Sequence, residues 1–244
     1  MAGTPAQTPC RERDTVEAMP NTDDTPSAAA PSALIEALLP HCHRRQVPAK
    51  GIIVRQGEPP HDLFYLVSGS VSVVLENVEG HMTVLAYLNA GDFFGEQGLF
   101  NDRINRCALV RARVPCEVAQ ISYERLRGLT TLLPEVLFTI ARQLAQRLCA
   151  MNRRAWNLVY VDVAGRVAET LLELCRQPDA RIEADGVHIR TSGLEISRII
   201  GASREMVGRV LKELEDQAVI TLRGKTMVVH LGRAVPRAPV LVLP

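Results

Sequence analysis

The sequence predicts an α+β fold: an N-terminal jelly-roll β-barrel, a long helix, and a C-terminal winged helix-turn-helix. Three observations carry this expectation. Short alternating apolar runs, punctuated by glycines, fill residues 51–122. An unbroken heptad pattern runs from Leu137 to Leu158. Two short amphipathic segments then meet at Gly201 and lead into a hairpin at residues 219–230.

Taken in order, the 244 residues divide into a leader (1–31), a barrel (32–133), a dimerising helix with its hinge (134–161), a winged helix-turn-helix domain (162–232) and a tail (233–244). The leader is rich in Thr, Pro and Ala without apolar periodicity, the composition of a disordered segment. Ser32 caps a short helix carrying Leu34, Ile35, Leu38 and Leu39. Strands are expected at 52–54, 63–67, 71–75, 83–88, 107–113 and 116–121, with Gly57, Gly69, Gly80, Gly91 and Pro115 as turns or bends. A cupin enzyme would share this architecture, but its metal-binding histidines are missing from the strands. His41-Cys42-His43 lacks further ligands nearby, so no metal site is assigned. With neither a metal set nor a nucleophile–base pair, there are no catalytic residues to name, and an enzyme is not expected.

Pro134 opens the long helix. Leu137, Ala141, Leu144, Leu148, Met151, Ala155 and Leu158 follow at steps of 4, 3, 4, 3, 4 and 3, a seam that predicts a homodimer. Arg142, Gln143, Gln146, Arg147, Arg153 and Arg154 form its polar flanks. Residues 157–162 are the expected hinge, with Asp162 capping a helix whose core face is Val163, Val167, Thr170, Leu171 and Leu174. A loop is expected over 177–186, and three prolines keep the tail out of any sheet interior.

In the last domain Leu194, Ile196, Ile199 and Ile200 make the first helix apolar, and Gly201 allows the tight turn. Ser203 caps the second helix, with Glu205 in its positive first turn. Met206, Val207, Val210, Leu211 and Leu214 form one stripe. Arg204, Glu205, Gly208, Arg209 and Lys212 form the opposite face, and the wing turns around Arg223, Gly224 and Lys225. Such a unit places its second helix in the DNA major groove. There arginine grips the two guanine acceptors and glutamate accepts from the cytosine amine. Candidate DNA contacts are therefore Ser203, Arg204, Glu205, Arg209, Lys212 and Lys225.

Overall charge adds nothing to that case: 28 basic residues against 27 acidic give +1. DNA affinity must reside in a local face and should be salt-sensitive. No run approaches the ~18 apolar residues of a membrane span, and no signal peptide is read. Cysteines at 10, 42, 107, 116, 149 and 175 show no CxxC pair, which argues for a reduced, cytoplasmic set of small core residues and against an iron–sulfur centre.

The stretch SREMVGRVLKELEDQAVITLRGKTMVV, residues 203–229, resembles the DNA-binding domain of the Crp–Fnr regulators, in particular the cyclic-AMP-receptor branch. The resemblance implies that Arg204, Glu205 and Arg209 read TGTGA-like half-sites of a palindrome. The segments GDFFGEQGLF (91–100) and NRCA (105–108) resemble the phosphate-binding cassette of cyclic-nucleotide-binding domains. There Gly95 would bring backbone N–H groups to a phosphate, Arg106 would supply a charged fork, and Glu96 would accept from a ribose 2′-hydroxyl. The chain departs from the cyclic-AMP pattern at three places. Cys107 replaces a serine donor, and Met151 and Asn152 replace a Thr-Ser pair that holds adenine across the dimer. The resemblance thus implies a non-covalent cyclic nucleotide, cyclic AMP or cyclic di-GMP. Arg103, Arg106, Arg111 and Arg113 would suit the more highly charged ligand, and a ligand-independent regulator stays open. A cyclic-nucleotide-binding regulatory subunit of an enzyme would share the barrel but would not need residues 203–225. Arg45 and Arg125 match an RNA polymerase contact surface, and no membrane partner is expected.

Overall fold

The structure is a computed structural model describing residues 33–101, 104–224 and 226–230. The expected leader and tail, with Cys10, Ser32, Arg103 and Lys225, lie outside the described residues.

After α1 (Ala33–Leu38) and a 3-10 turn come eight strands: β1 (His43–Val47), β2 (Ile52–Val54), β3 (Asp62–Ser68), β4 (Ser70–Glu76), β5 (Met82–Asn89), β6 (Phe93–Phe94), β7 (Leu109–Ala112) and β8 (Cys116–Ser122). They pair antiparallel into two four-stranded sheets, ordered β1-β8-β3-β6 and β2-β7-β4-β5. Buried residues of both sheets share one core, among them Leu66, Val71, Leu88, Val118 and the stacked rings of Phe64 and Phe94 at 5.1 Å. Gly69 makes the β3–β4 turn at φ 96°, where a Cβ would meet the Pro115 carbonyl oxygen at 2.7 Å.

Several elements were not expected. β1 is almost wholly polar, and it exists because it pairs along the edge of β8. β6 and the helices α2 (Gln97–Phe100) and α3 (Tyr123–Leu129) are too short to show a period.

The long helix α4 spans Glu135–Tyr160. Val136 and Ile140 are buried in a second barrel core with Leu63, Phe93 and Leu126. That anchoring turns Leu137 and Leu144 toward the same core, against which both are partly buried. Met151 and Leu158 are 46% and 59% exposed, and they also border cavities. A neighbouring exposed line reads Phe138, Ala141, Ala145, Leu148, Asn152, Ala155 and Val159, again at alternating steps of three and four. Residues 157–160, expected in the hinge, are helical; the chain leaves the helix at Val161, with φ −111° and ψ 129°.

Asp162 caps α5 (Val163–Cys175), its side chain accepting from the Gly165 N–H at 2.8 Å. The expected loop at 177–186 contains β9 (Arg181–Glu183) and leads into β10 (Gly186–Ile189). Then follow α6 (Gly193–Ile200), α7 (Arg204–Asp216) and the wing strands β11 (Ile220–Arg223) and β12 (Thr226–Val229), in a sheet ordered β11-β12-β10-β9. Gly201 sits at φ 64°, as the turn between the two helices requires. Val167, Leu171, Ile196, Val207, Leu211, Ile220 and Met227 make the core. Ile199 of α6 packs onto Val74, Val84 and Leu109 of the barrel, so the C-terminal unit rests on the β4–β5 face.

Candidate functional site

A cavity of about 460 Å³ opens between β5, the segment Phe94–Ala108 and the inner side of α4. Gly95 holds φ 81°, and a Cβ there would lie 2.6 Å from the Arg106 guanidinium, so the turn and the arginine depend on each other. Glu96 is buried, with Oε1 3.4 Å from Nη1 of Arg147, and its carboxylate faces the cavity as an acceptor. Gln143 ties the cassette to α4: its Oε1 accepts from the Phe93 N–H at 2.8 Å and its Nε2 donates to the Gly91 carbonyl at 2.9 Å.

Arg106 lines the cavity but its fork is already engaged. Nη1 donates to the Gly95 carbonyl at 2.9 Å and to the Tyr123 hydroxyl at 3.1 Å, and Nη2 donates to the Asp62 carbonyl at 2.6 Å. The cation also lies 5.5 Å from the centre of the Phe64 ring. These bonds use three of the five guanidinium N–H donors, so the Nε–H and one Nη2–H are not engaged by them. Cys107 lines the cavity and is exposed, its Sγ 3.6 Å from the Asn105 carbonyl oxygen. Met151 lines it too, whereas Asn152 is exposed on the outer line of α4 and does not reach the cavity of its own chain.

The expectation that Arg111 and Arg113 add charge to the pocket is corrected. Neither lines it; Arg113 pairs with Asp179 at 2.9 Å and lies 4.2 Å from the Tyr87 ring centre. The cations that do line it with Arg106 are Arg147 and Arg154, assigned in sequence to solvated flanks. The readable signal was the row Gln143, Arg147, Ala150, Arg154 at steps of four, three and four, which faces the same way as Val136 and Ile140. Asp92 also borders the cavity; burial pushes its carboxyl above the usual range, while the Asn89 amide and Arg147 pull it back.

On the other domain, Arg204, Glu205, Arg209 and Lys212 are all exposed on one side of α7. Glu205 and Arg209 meet at 3.5 Å across one helical turn, an exposed pair that DNA could separate at little cost. The Ser203 hydroxyl accepts from the Met206 N–H at 3.2 Å, so it is a cap first. Gly208 has nothing within 4 Å of where a Cβ would stand, leaving the middle of the face open to close approach. Of the two arginines matched to a polymerase surface, Arg125 is exposed, but Arg45 donates to the Ile53 carbonyl at 3.1 Å and lies 5.8 Å from the Phe64 ring centre. Among the described residues one trio could offer metal ligands, Glu183, Asp185 and His188, and there Asp185 is already held by His188 at 2.6 Å and Arg223 at 3.3 Å. No described helix is long and apolar enough to cross a membrane.

Comparison with known proteins follows this division. The family model described as cyclic nucleotide-binding domain matches residues 44–131, and that described as Crp-like helix-turn-helix domain matches residues 165–233. The chain is 48% identical over 198 residues to the cAMP-activated global transcriptional regulator Vfr of Pseudomonas aeruginosa, covering 80% of this chain and 92% of that one. It is 45% identical over 211 residues to the cAMP-activated global transcriptional regulator CRP of Salmonella typhimurium, covering 86% and 96%. Among solved structures it resembles the c-di-GMP responsive global regulator CLP of Xanthomonas campestris, with TM-score 0.75, 40% identity, and 81% and 98% of the two chains covered.

Proposed function

This chain belongs to the Crp–Fnr family of transcription regulators, and on that premise we propose that a cyclic nucleotide held in the barrel cavity controls how a homodimer reads palindromic DNA. The observation that carries the reading is that α4 borders both functions. Its inner side walls the cavity through Gln143, Arg147, Met151 and Arg154, and its C-terminal end leads directly into the capped start of α5. In this reading a phosphate recruits Arg106 and the backbone turn at Gly95, while Glu96 accepts from a ribose hydroxyl. Cys107 stands where a stronger donor would serve, so it contributes a weak contact at best. Met151 supplies apolar surface beneath the base, and Asn152, on the outer line of α4, reaches the ligand of the partner subunit.

Two chains joined along α4 present two copies of α7 about one DNA turn apart, ~34 Å, a geometry drawn in part from this family. Arg204 and Arg209 read guanines of a TGTGA-like half-site, Glu205 accepts from a cytosine amine, and Ser203, Lys212 and Lys225 contact the backbone. Ligand shifts the equilibrium only in so far as it binds one arrangement of the two domains better than the other. The protein works in the cytoplasm, and Arg125 offers an exposed cation toward RNA polymerase.

Fluorescence anisotropy on a TGTGA palindrome, with and without cyclic nucleotide, tests both halves. Arg204→Ala with Arg209→Ala should abolish site-specific binding, and Arg106→Ala should remove the ligand response while leaving basal binding to DNA. Site-specific binding that survives the double replacement would sink the recognition-helix assignment.

A further inference from the structure

Three metal-ligating side chains converge at the β9–β10 turn, on the side of the sheet away from its apolar core. Antiparallel pairing sets His188 across from Arg181, and Glu183 follows two residues on along the same face of β9. Asp185 belongs to the turn itself. Val187 and Ile189, on the other face of β10, are buried in the C-terminal core. One ligand atom from each of Glu183, Asp185 and His188 lies within 4.8 Å of the other two. His188 Nε2 is the pivot, 2.6 Å from Asp185 Oδ1 and 3.6 Å from Glu183 Oε2.

The hydrogen bond within this group leaves it convergent but not satisfied. The single N–H on Nε2 donates to Asp185, and 3.6 Å to Glu183 is too long for a second bond. Two carboxylates thus gather at one nitrogen that can answer only one of them, whereas a divalent cation answers all three groups at once. With bonds of ~2.1 Å in tetrahedral array, neighbouring ligand atoms stand about 3.4 Å apart. Nε2 and the Glu183 oxygen already have nearly that spacing, and Nε2 and Oδ1 need to part by less than about 1 Å.

The surroundings hold the ligands in place. Arg223 of the wing lies 3.3 Å from Asp185 Oδ2, gripping the carboxylate by the oxygen that an ion would not use. His230 donates from Nδ1 to the Asp185 carbonyl at 2.6 Å, and its Nε2 meets the Thr221 hydroxyl at 2.9 Å. The turn is therefore tied to the wing before any ion arrives. The His188 side chain is only 13% exposed, so its ring is largely enclosed, while Asp185 and Glu183, at 41% and 51%, leave a path from solvent.

We propose that Glu183, Asp185 and His188 bind one divalent transition-metal ion of the Zn²⁺ class, with water completing its coordination. An imidazole nitrogen among carboxylate oxygens suits such an ion, whereas Ca²⁺ and Mg²⁺ take oxygen ligands. The ion takes the place of the proton between Nε2 and Oδ1, and the neutral imidazole then carries that proton on Nδ1. The site stands apart from the barrel cavity and does not depend on what that cavity holds. Beside Arg223, the ion stiffens the junction between the β9–β10 turn and the wing.

Calorimetry on the full chain, with Zn²⁺ as the probe in buffer free of thiols and chelators, tests this. Co²⁺ then reports the ligand type, because thiolate ligation adds an intense near-ultraviolet band that a nitrogen–oxygen site lacks. The unaltered chain should bind Zn²⁺ at micromolar concentration, and its Co²⁺ complex should lack that band. His188→Ala and Glu183→Gln should each weaken binding about tenfold or more, since losing even a group that merely orients a ligand costs about that much. His188→Cys should still bind and should acquire the thiolate band, a gain that a misfolded variant cannot imitate. Zn²⁺ should raise Tm in the unaltered chain and not in His188→Ala. Binding only at millimolar Zn²⁺, or of thiolate type in the unaltered chain, overturns the proposal. So does binding by either His188→Ala or Glu183→Gln as tight as that of the unaltered chain.

Discussion

The Tyr87 hydroxyl donates to the Glu195 carboxylate at 3.2 Å, joining strand β5 of the barrel to helix α6 of the DNA-binding unit. The ring of the same tyrosine packs against both the C-terminal core and the barrel cluster of Val74, Val84 and Leu109. Arg113 lies over it and pairs with Asp179 at 2.9 Å, and the Asn89 amide donates to Gln177 at 3.2 Å. Burial, with the neighbouring Glu195 carboxylate, holds the phenol well above its ordinary range, so the proton stays in this bond at neutral pH. The domains are thus clasped by a few directed polar contacts around one ring.

Tyr87→Phe keeps the ring and deletes the hydrogen bond, at an expected cost of about 1 kcal/mol in unfolding free energy. Arg113→Ala should cost more, since it strands the largely buried Asp179 and uncovers the ring. Urea unfolding followed by tryptophan fluorescence measures both. Equal, negligible effects would mean that apolar packing alone carries the clasp.

Thiol reactivity should divide by position. Burial pushes the Cys42 and Cys175 thiols up to about 11, and Cys116 is buried and raised as well. At pH 8 a thiol of that kind is ionised on the order of one part in a thousand, and the thiolate is the reacting form. Cys107 and Cys149 are exposed and should label first among the described cysteines. Because Cys107 lines the cavity, the bound effector should slow its labelling and leave that of a dimer-matched Cys149 unchanged. Mass-spectrometric mapping after brief treatment with iodoacetamide checks this.

Asp92 should make stability depend on pH in a definite direction. Its folded-state carboxyl is raised by burial above the unfolded value, so the folded chain retains the proton to higher pH. The resulting penalty is absent below the ordinary carboxylate range of about 4 and grows as pH rises through the raised value. Asp92→Asn still offers an oxygen to the Asn89 N–H, which now donates to Oδ2 at 2.7 Å. It should therefore raise Tm at pH 7, with the gain shrinking toward zero as pH falls below about 4. Thermal scans across that range decide it; a gain that grows on acidification contradicts the assignment.

On α4 the two apolar lines should respond differently. Leu148 is 62% exposed on the outer line, and Leu148→Glu should dissociate the homodimer in sedimentation experiments with little loss of monomer stability. Leu144, leaning on the barrel core, should show the reverse: Leu144→Ala should cost about 2 kcal/mol of stability without dissociating the dimer.

Much of the DNA-binding unit was legible because its signals are local. The Ser203 and Asp162 caps, the left-handed turn at Gly201 and the apolar stripe of α7 each depend on residues within a few positions of one another. The cassette was legible for the same reason, since Gly95, Glu96 and Arg106 lie within twelve residues. What escaped were features made by distant partners. β1 carries no apolar alternation and is a strand only through its register with β8, and the short β10 is ordered by β12 and in turn pairs with β9.

By itself, then, the sequence determined which segments are helix, strand and turn wherever periodicity and capping decide, and which side chains are candidates to read DNA or hold a phosphate. Tertiary structure alone decided which way α4 faces. A heptad pattern is satisfied by more than one neighbouring line of residues, and burial of Val136 and Ile140 in the barrel selects among them. That choice turned Arg147 and Arg154 from surface flanks into cavity walls and left Asn152 outside, because the rotation of a helix is set by what it packs against.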